Sequence, residues 1–187
     1  MMSAAMIFLL DALLQPFAAI LLLRFHLQWL RVPMRNPLGE FIMAISNFAV
    51  LRMRRLVPAF HGWDIASLIL AFTAEALYLG ACYWVYDLPA ASFSPGGLAV
   101  WAAVKLLKIS LYLLIIALLV QAVLSWVNPY TPVAGMLNVM TRPFLSPLRR
   151  YIKPIGNVDL TPLVLLIICQ LLLVAPMAWM ENQTRLF

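Results

Sequence analysis

The chain has 187 residues and a formal net charge of +6; 65% of its residues are hydrophobic, only 11% are charged, and its mean hydropathy is +0.95. A soluble domain of this length has too little interior to hide that much apolar surface, so the composition points to a membrane protein. Cys82 and Cys169 both lie in apolar runs, which speaks against a disulfide or a metal site. The basic residues are accounted for by membrane topology, which leaves no reading as a nucleic-acid binder.

A bilayer core of roughly 30 Å needs about 20 apolar residues as helix. The first qualifying stretch is about 4–23. Nothing basic precedes it, Asp11 interrupts it and no small-residue cleavage site follows, so it is expected to stay as a mature helix rather than be removed as a signal. After Trp29, Pro37 opens a helical segment that Arg54-Arg55 closes. Over Phe41 to Val57, Phe41, Ile45, Phe48 and Leu56 stand against Ser46, Asn47, Arg52 and Arg55, an amphipathic pattern. His61-Gly62-Trp63-Asp64-Ile65 leads into the second span, about 65–86, which contains Glu75. The segment Asp87 to Gly97 has no Lys or Arg. The third span, about 99–127, carries Lys105 and Lys108 and ends beyond Trp126.

Pro132 then opens another helical segment. From Met136 to Ile152, apolar Met136, Leu137, Val139, Met140, Phe144, Leu148, Tyr151 and Ile152 alternate at helical spacing with Asn138, Thr141, Arg142, Arg149 and Arg150. Pro143 and Pro147 are expected to kink or break it. Gly156-Asn157-Val158-Asp159-Leu160 opens the fourth span, about 160–180.

The second half repeats the first. Pro37 and Pro132, Arg54 and Arg149, and Asp64 and Asp159 are each 95 residues apart, and Trp29 and Trp126 are 97 apart, which places two extra loop residues in the second copy. The division is 1–92 and 93–187. Between spans one and two lie Arg24, Arg31, Arg35, Arg52, Arg54 and Arg55, and between spans three and four Arg142, Arg149, Arg150 and Lys153. By the positive-inside rule both basic segments face the cytoplasm, with the termini and the 87–98 loop outside. Two spans per copy return the chain to its starting side. The expected fold is therefore an all-α membrane protein of four transmembrane helices, built as two parallel two-span repeats about an axis along the membrane normal, each with a cytoplasmic amphipathic helix. Such helices suit the headgroup layer, apolar side down and Arg toward anionic lipid.

Thr141-Arg142-Pro143-Phe144-Leu145-Ser146-Pro147-Leu148-Arg149-Arg150, followed by Pro154, Gly156, Asp159, Leu160, Thr161 and Pro162, resembles the motif of the YggT family of small bacterial membrane proteins, which has chloroplast relatives. The duplicated two-span layout extends the resemblance over essentially the whole chain. The first copy departs from it: Phe48 and Arg52 replace the two core prolines, and Ser67 stands at the place of Pro162. If the prolines shape a docking surface, copy one has lost part of it. The resemblance implies an integral membrane protein without established catalysis, linked to osmotic-stress tolerance, potassium uptake and the organisation of membrane components; the chloroplast relatives assist cofactor assembly of a cytochrome b complex.

Charged side chains within spans are costly unless paired, and so are the best local pointers to function. Asp11, Glu75, Lys105 and Lys108 form two acids against two bases. At about 1.5 Å per residue, Glu75 lies roughly 16 Å and Lys108 roughly 13 Å deep, within reach of each other. Asp11 and Lys108 are repeat-equivalent, as are Glu75 and Gln170. Gln15 and Gln121 are expected to face the bundle interior. Four charges in four helices leave little room for a pore, so a buried cluster fixing helix register is expected, with a hydrated ion or proton path as its rival. His26 and His61 have no counterparts in copy two, and no Cys or carboxylate stands near them at ligand spacing, so neither metal nor haem ligation is expected. Asp64 and Asp159 are placed to cap the first turns of spans two and four. No nucleophile elbow, phosphate-binding glycine loop or zinc-protease helix is present, so enzymatic activity is not expected.

The sequence thus leads to a non-enzymatic scaffold or assembly factor of the bacterial inner membrane, without a cofactor. Arg54, Arg55, Arg142, Pro143, Pro147, Arg149 and Arg150 would meet anionic lipid headgroups and a membrane-protein partner, and a homo-oligomer is open. The competing reading is a small channel or an accessory subunit for potassium transport. Against it stand the scarcity of glycine, seven residues in all, and the lack of a filter-like segment.

Overall fold

The computed structural model describes residues 2–57, 62–86, 94–152 and 159–180, and these are helical nearly throughout. Six helices follow in order: α1 (Met2–Trp29), α2 (Pro37–Met53), α3 (Ile65–Val85), α4 (Pro95–Val127), α5 (Pro132–Tyr151) and α6 (Thr161–Leu172). A π-helical turn, Leu173–Met177, continues α6 toward residue 180. Pro176 within that turn has no N–H for the i−4 carbonyl, and the wider turn accommodates the missing bond. Four stretches are long and apolar enough to cross a bilayer: Ala4–Trp29, Ile65–Val85, Pro95–Val127 and Thr161–Met180.

Two helices run further than their sequences suggest. α1 continues to Trp29, past Arg24 and His26, because both polar side chains find partners inside the bundle. Arg31 ends it in the left-handed conformation (φ 53°). Val32 N–H bonds Leu27 O and Arg31 N–H bonds Gln28 O, a Schellman arrangement usually built on glycine. α5 runs unbroken through Pro143 and Pro147, contrary to a break at either. Both rings lie on its exposed side, where the carbonyls they leave free meet no apolar packing.

The bundle surface fits a bilayer. Phe8, Leu13, Leu77, Leu107, Ile116 and Leu171 are all exposed along the spans, which water would penalise and lipid does not. Exposed Trp84, Tyr86 and Trp179 stand at one end, and Trp29, Trp63, Trp126 and Tyr130 at the other, as an aromatic belt at each membrane boundary would require.

Three apolar clusters hold the bundle. Leu21, Leu22, Val50, Ala66, Ala71 and Leu106 join α1, α2, α3 and α4. Leu114, Leu118, Leu145, Leu165 and Cys169 join α4, α5 and α6. Between them, Leu27, Ile42, Ala117, Met136, Leu137 and Met140 tie α1 and α2 to α4 and α5. Ile42 and Leu137 are repeat-equivalent, so the short helices of the two copies meet in this middle cluster.

Candidate functional site

Pro37 and Pro132 begin α2 and α5 at the position where a missing N–H costs nothing. Before each stands a capping side chain: Asn36 Oδ1 accepts Gly39 N–H at 2.9 Å, and Thr131 Oγ1 accepts Ala134 N–H at 3.2 Å. Ten residues past each cap, Ser46 Oγ donates to Ile42 O at 2.5 Å and Thr141 Oγ1 to Leu137 O at 2.9 Å. Each hydroxyl also meets the preceding long helix. Arg24 Nη1 donates to Ser46 Oγ at 2.6 Å, and Thr141 Oγ1 lies 2.7 Å from the Gln121 side-chain amide. Asn36 and Thr131, Ser46 and Thr141, and Arg24 and Gln121 are all equivalent positions, so the duplication extends to individual hydrogen bonds.

The last shared element is an ion pair across ten residues. Arg54 Nε lies 3.1 Å from Asp64 Oδ1, and its Nη2 lies 2.9 Å from Oδ2 and 3.1 Å from Gln28 Oε1. Arg149 Nε and Nη2 each lie 3.0 Å from Asp159 Oδ2. In both copies the end of the short helix is thereby fastened to the start of the next span.

The copies differ in burial. Asp64 is 0% exposed, and Arg24, itself 3% exposed, adds its Nε at 3.3 Å from Oδ2, an electrostatic contact without an aligned hydrogen bond. Ser67 Oγ donates to the same oxygen at 2.5 Å, which the proline of the second copy has no hydroxyl to do. Asp159 is 40% exposed and takes Thr161 N–H at 2.9 Å. Burial pushes the Asp64 carboxyl up, but the hydrogen bonds of Arg54 and Ser67 and the charges of Arg54 and Arg24 outweigh it and hold it below its ordinary value. For Asp159, burial is likewise outweighed by Thr161 and Arg149, and the carboxyl is again held low.

Two sequence expectations are corrected here. Asp64 occupies the N-cap position of α3 but makes no side-chain cap; the buried guanidinium groups claim both its oxygens. Ser46 and Asn47, expected on the headgroup side of α2, turn into the bundle, because buried Arg24 needs their oxygens, at 2.6 and 2.9 Å. The outward side of α2 instead shows Phe41, Phe48 and Leu51, with Arg52, Arg55 and Leu56 near its end.

The charges within the spans gather around Glu75. Its carboxyl is 0% exposed, and Gln15 Nε2 donates to Oε1 at 3.3 Å. Its charged neighbours are Lys105 and Asp11. Lys105 Nζ stands 5.8 Å from the centre of the Tyr78 ring, and the Tyr78 hydroxyl hydrogen-bonds Asp11. The structure therefore brings Asp11, Glu75 and Lys105 into one group across α1, α3 and α4, with Gln15 and Tyr78 as members that charge counting alone does not reveal. Lys105 is a lysine whose charge acts on Glu75. Gln15 and Gln121 both point inward, as expected.

Of the seven surface residues singled out by sequence, Arg54 and Arg149 are engaged by the two aspartates. Arg55, Arg142, Pro143, Pro147 and Arg150 are exposed. On α5 the opposite side, Met136, Leu137, Met140, Thr141 and Leu145, is buried. The helix thus buries one side in the bundle and presents a basic outer face. His26 Nδ1 lies 2.7 Å from Leu22 O, and its ring meets Phe25 and Trp29 edge-on. His61, Lys153 and Gly156 to Val158 lie outside the described residues. Among the described residues, no three His, Cys, Asp or Glu side chains gather as a metal site would need.

Comparison with known proteins places this geometry in context. The CCB3/YggT family model matches twice, over residues 3–85 and 100–180. The chain is 31% identical over 164 residues to protein PA0392 of Pseudomonas aeruginosa, covering 87% of this chain and 83% of the relative. It is 29% identical to the Escherichia coli protein YggT over 164 residues, or 86% of this chain and 83% of that one. A protein encoded in the proC 3′ region of Vibrio alginolyticus is 30% identical over 164 residues, covering 87% of this chain and 88% of its own length. No solved structure matches the chain.

Proposed function

The chain belongs to the CCB3/YggT family, and we propose that it serves as a non-enzymatic scaffold of the bacterial inner membrane, using the outer face of α5 to hold anionic lipid headgroups and a membrane-protein partner at the cytoplasmic side. The observation that carries this reading is the division of labour along α5: one side is buried in the bundle, while Arg142, Pro143, Pro147 and Arg150 stand outward on a helix pinned by Arg149 to Asp159. A basic helix lying at a membrane boundary attracts anionic headgroups at about 1 kcal/mol per Arg. Arg52 and Arg55 near the end of α2 would extend the same surface. In the family context this is a docking role in osmotic-stress tolerance rather than a reaction.

Arg142→Ala with Arg150→Ala tests it. Removing two such charges is worth about 2 kcal/mol, on the order of a 30-fold loss of affinity. Native mass spectrometry of protein released from mixed-lipid nanodiscs should show phosphatidylglycerol retained by the wild type and lost by the double variant. Equal retention by both proteins would contradict the assignment.

A second reading is supported by one observation. Among the described residues Glu75 Oε2 is buried without a hydrogen-bond partner, beside Asp11 and Lys105. An intramembrane carboxyl with spare acceptor capacity is what a proton or cation relay would use, and this favours an ion-transport subunit over a pure scaffold.

A further inference from the structure

We propose that two copies of this chain associate within the membrane through α6, with the Gln170 amides hydrogen-bonding to each other across a twofold axis. The argument begins with the repeat. On α3 the stripe Ala71, Glu75 and Leu79 is buried, at 0%, 0% and 2% exposure. Its equivalents on α6 are Leu166, Gln170 and Val174. Gln170 and Val174 lie on the outside, Leu166 is half-buried, and with Leu163, Ile167 and Leu171 they line an open groove of about 450 Å³. A stripe that is buried in the first copy is therefore largely uncovered in the second. α6 packs on α4 and α5 with the adjacent stripe, Leu165, Cys169 and Leu173.

Gln170 says what covers it. The span Thr161–Met180 has 20 residues, so Gln170 sits roughly 14–15 Å from either end at about 1.5 Å per residue, too deep for its short side chain to reach a headgroup or water. Among the described residues its amide has no hydrogen-bond partner. An amide left bare in hydrocarbon is costly, and Gln side chains at such positions join helices. Glu75, its counterpart, receives one hydrogen bond from a Gln on another helix, Gln15.

The occupant follows from the chemistry of the group. A primary amide carries both donors and an acceptor, so two of them satisfy each other, which a carboxylate or an ammonium group does not do with its own kind. Two copies inserted with the same topology place Gln170 at the same depth, and a twofold axis along the membrane normal makes the patch self-complementary. Leu163, Leu166, Ile167, Leu171 and Val174 then pack around the amide pair. A lipid chain filling the groove offers no hydrogen bond.

The test is the oligomeric state of the full chain in liposomes, read by single-molecule photobleaching as protein density is lowered. The wild type should show two-step bleaching, and Gln170→Leu should weaken the dimer on the order of 3- to 30-fold. Gln170→Asn should restore part of the loss. Because Gln170 is exposed, neither variant disturbs the monomer core. A disulfide scan on a background with Cys82 and Cys169 replaced provides the second measurement. Ile167→Cys and Val174→Cys should crosslink two copies, whereas Leu77→Cys, exposed on α3, should not. A monomer at every density, with lipid alone on α6, would overturn the proposal, as would a dimer that is indifferent to Gln170→Leu and crosslinks through another face.

Discussion

Asp64 and Asp159 hold equivalent positions and equivalent arginines, yet their surroundings give them different weights. Asp64 is fully buried against two arginines, Arg24 at 3% and Arg54 at 33% exposure, whereas Asp159 and Arg149 are 40% and 47% exposed. Removing one partner of a buried set leaves uncompensated charge, about 3–5 kcal/mol, while an exposed pair is worth roughly 0–1 kcal/mol. Asp64→Asn should therefore lower the unfolding temperature of the detergent-solubilised protein sharply, and Asp159→Asn should barely move it; similar shifts for both would refute the distinction. Both carboxyls are held low in the folded state. Their contribution is complete above the unfolded carboxyl value and is lost as pH falls through the folded one, so the acid limb of a stability profile should flatten in Asp64→Asn. The Arg54 and Asp64 spacing was legible because it recurs in the second copy. The role of Arg24 was not: read as a loop charge, it looked like topology, and only its equivalence to Gln121, joined to that of Ser46 and Thr141, hints that it faces inward.

At the scale of elements, the proline marks at the starts of α2 and α5 agree with the structure, whereas Asp64 makes no side-chain cap on α3. Pro37 and Pro132 are preceded by Asn36 and Thr131, and both caps form. Helix ends and orientations were harder to read. A proline pair suggested a break in α5, but a break is needed only where the freed carbonyls are trapped, and these lie on the exposed side. The polar side of α2 looked solvent-facing because Ser and Asn carry no sign of the buried guanidinium they serve. One local difference between the copies is a steric demand. A Cβ at Gly39 would stand 2.3 Å from Met34 O, whereas the equivalent position in the second copy is Ala134. Gly39→Ala should thus cost about 1–3 kcal/mol through the backbone shift it forces. Ala134→Gly should cost roughly 1 kcal/mol or less, through helix propensity and the small buried methyl. Thermal unfolding of the two variants side by side checks this, and a neutral Gly39→Ala would show that the Met34 carbonyl moves aside freely.

For the whole molecule, four apolar spans with exposed aromatic residues at their boundaries describe a multi-pass membrane protein. The family model matches its sequence twice. The two copies share caps, hydroxyl bonds and an Arg–Asp clasp, but they have diverged in what they bury. Copy one has drawn charge inward, at Asp64 with its arginines and at Glu75, which lies beside Asp11 and, from copy two, Lys105. Copy two has kept the prolines and arginines of α5 outside and left Gln170 uncovered. On this account the first copy stabilises the bundle and the second meets other molecules. The spans and basic segments were readable from hydropathy and charge. The side of α6 that stays bare was not, because Gln170 and Glu75 share one register and only packing separates them. Whether the buried charges hold the bundle or carry ions is decided by potassium flux through the purified protein in proteoliposomes, with Glu75→Gln alongside. The account predicts no flux above protein-free liposomes from either folded protein, and reduced thermal stability in the variant. Flux through the wild type that vanishes in a folded Glu75→Gln variant would contradict it and make the Glu75 cluster the working site.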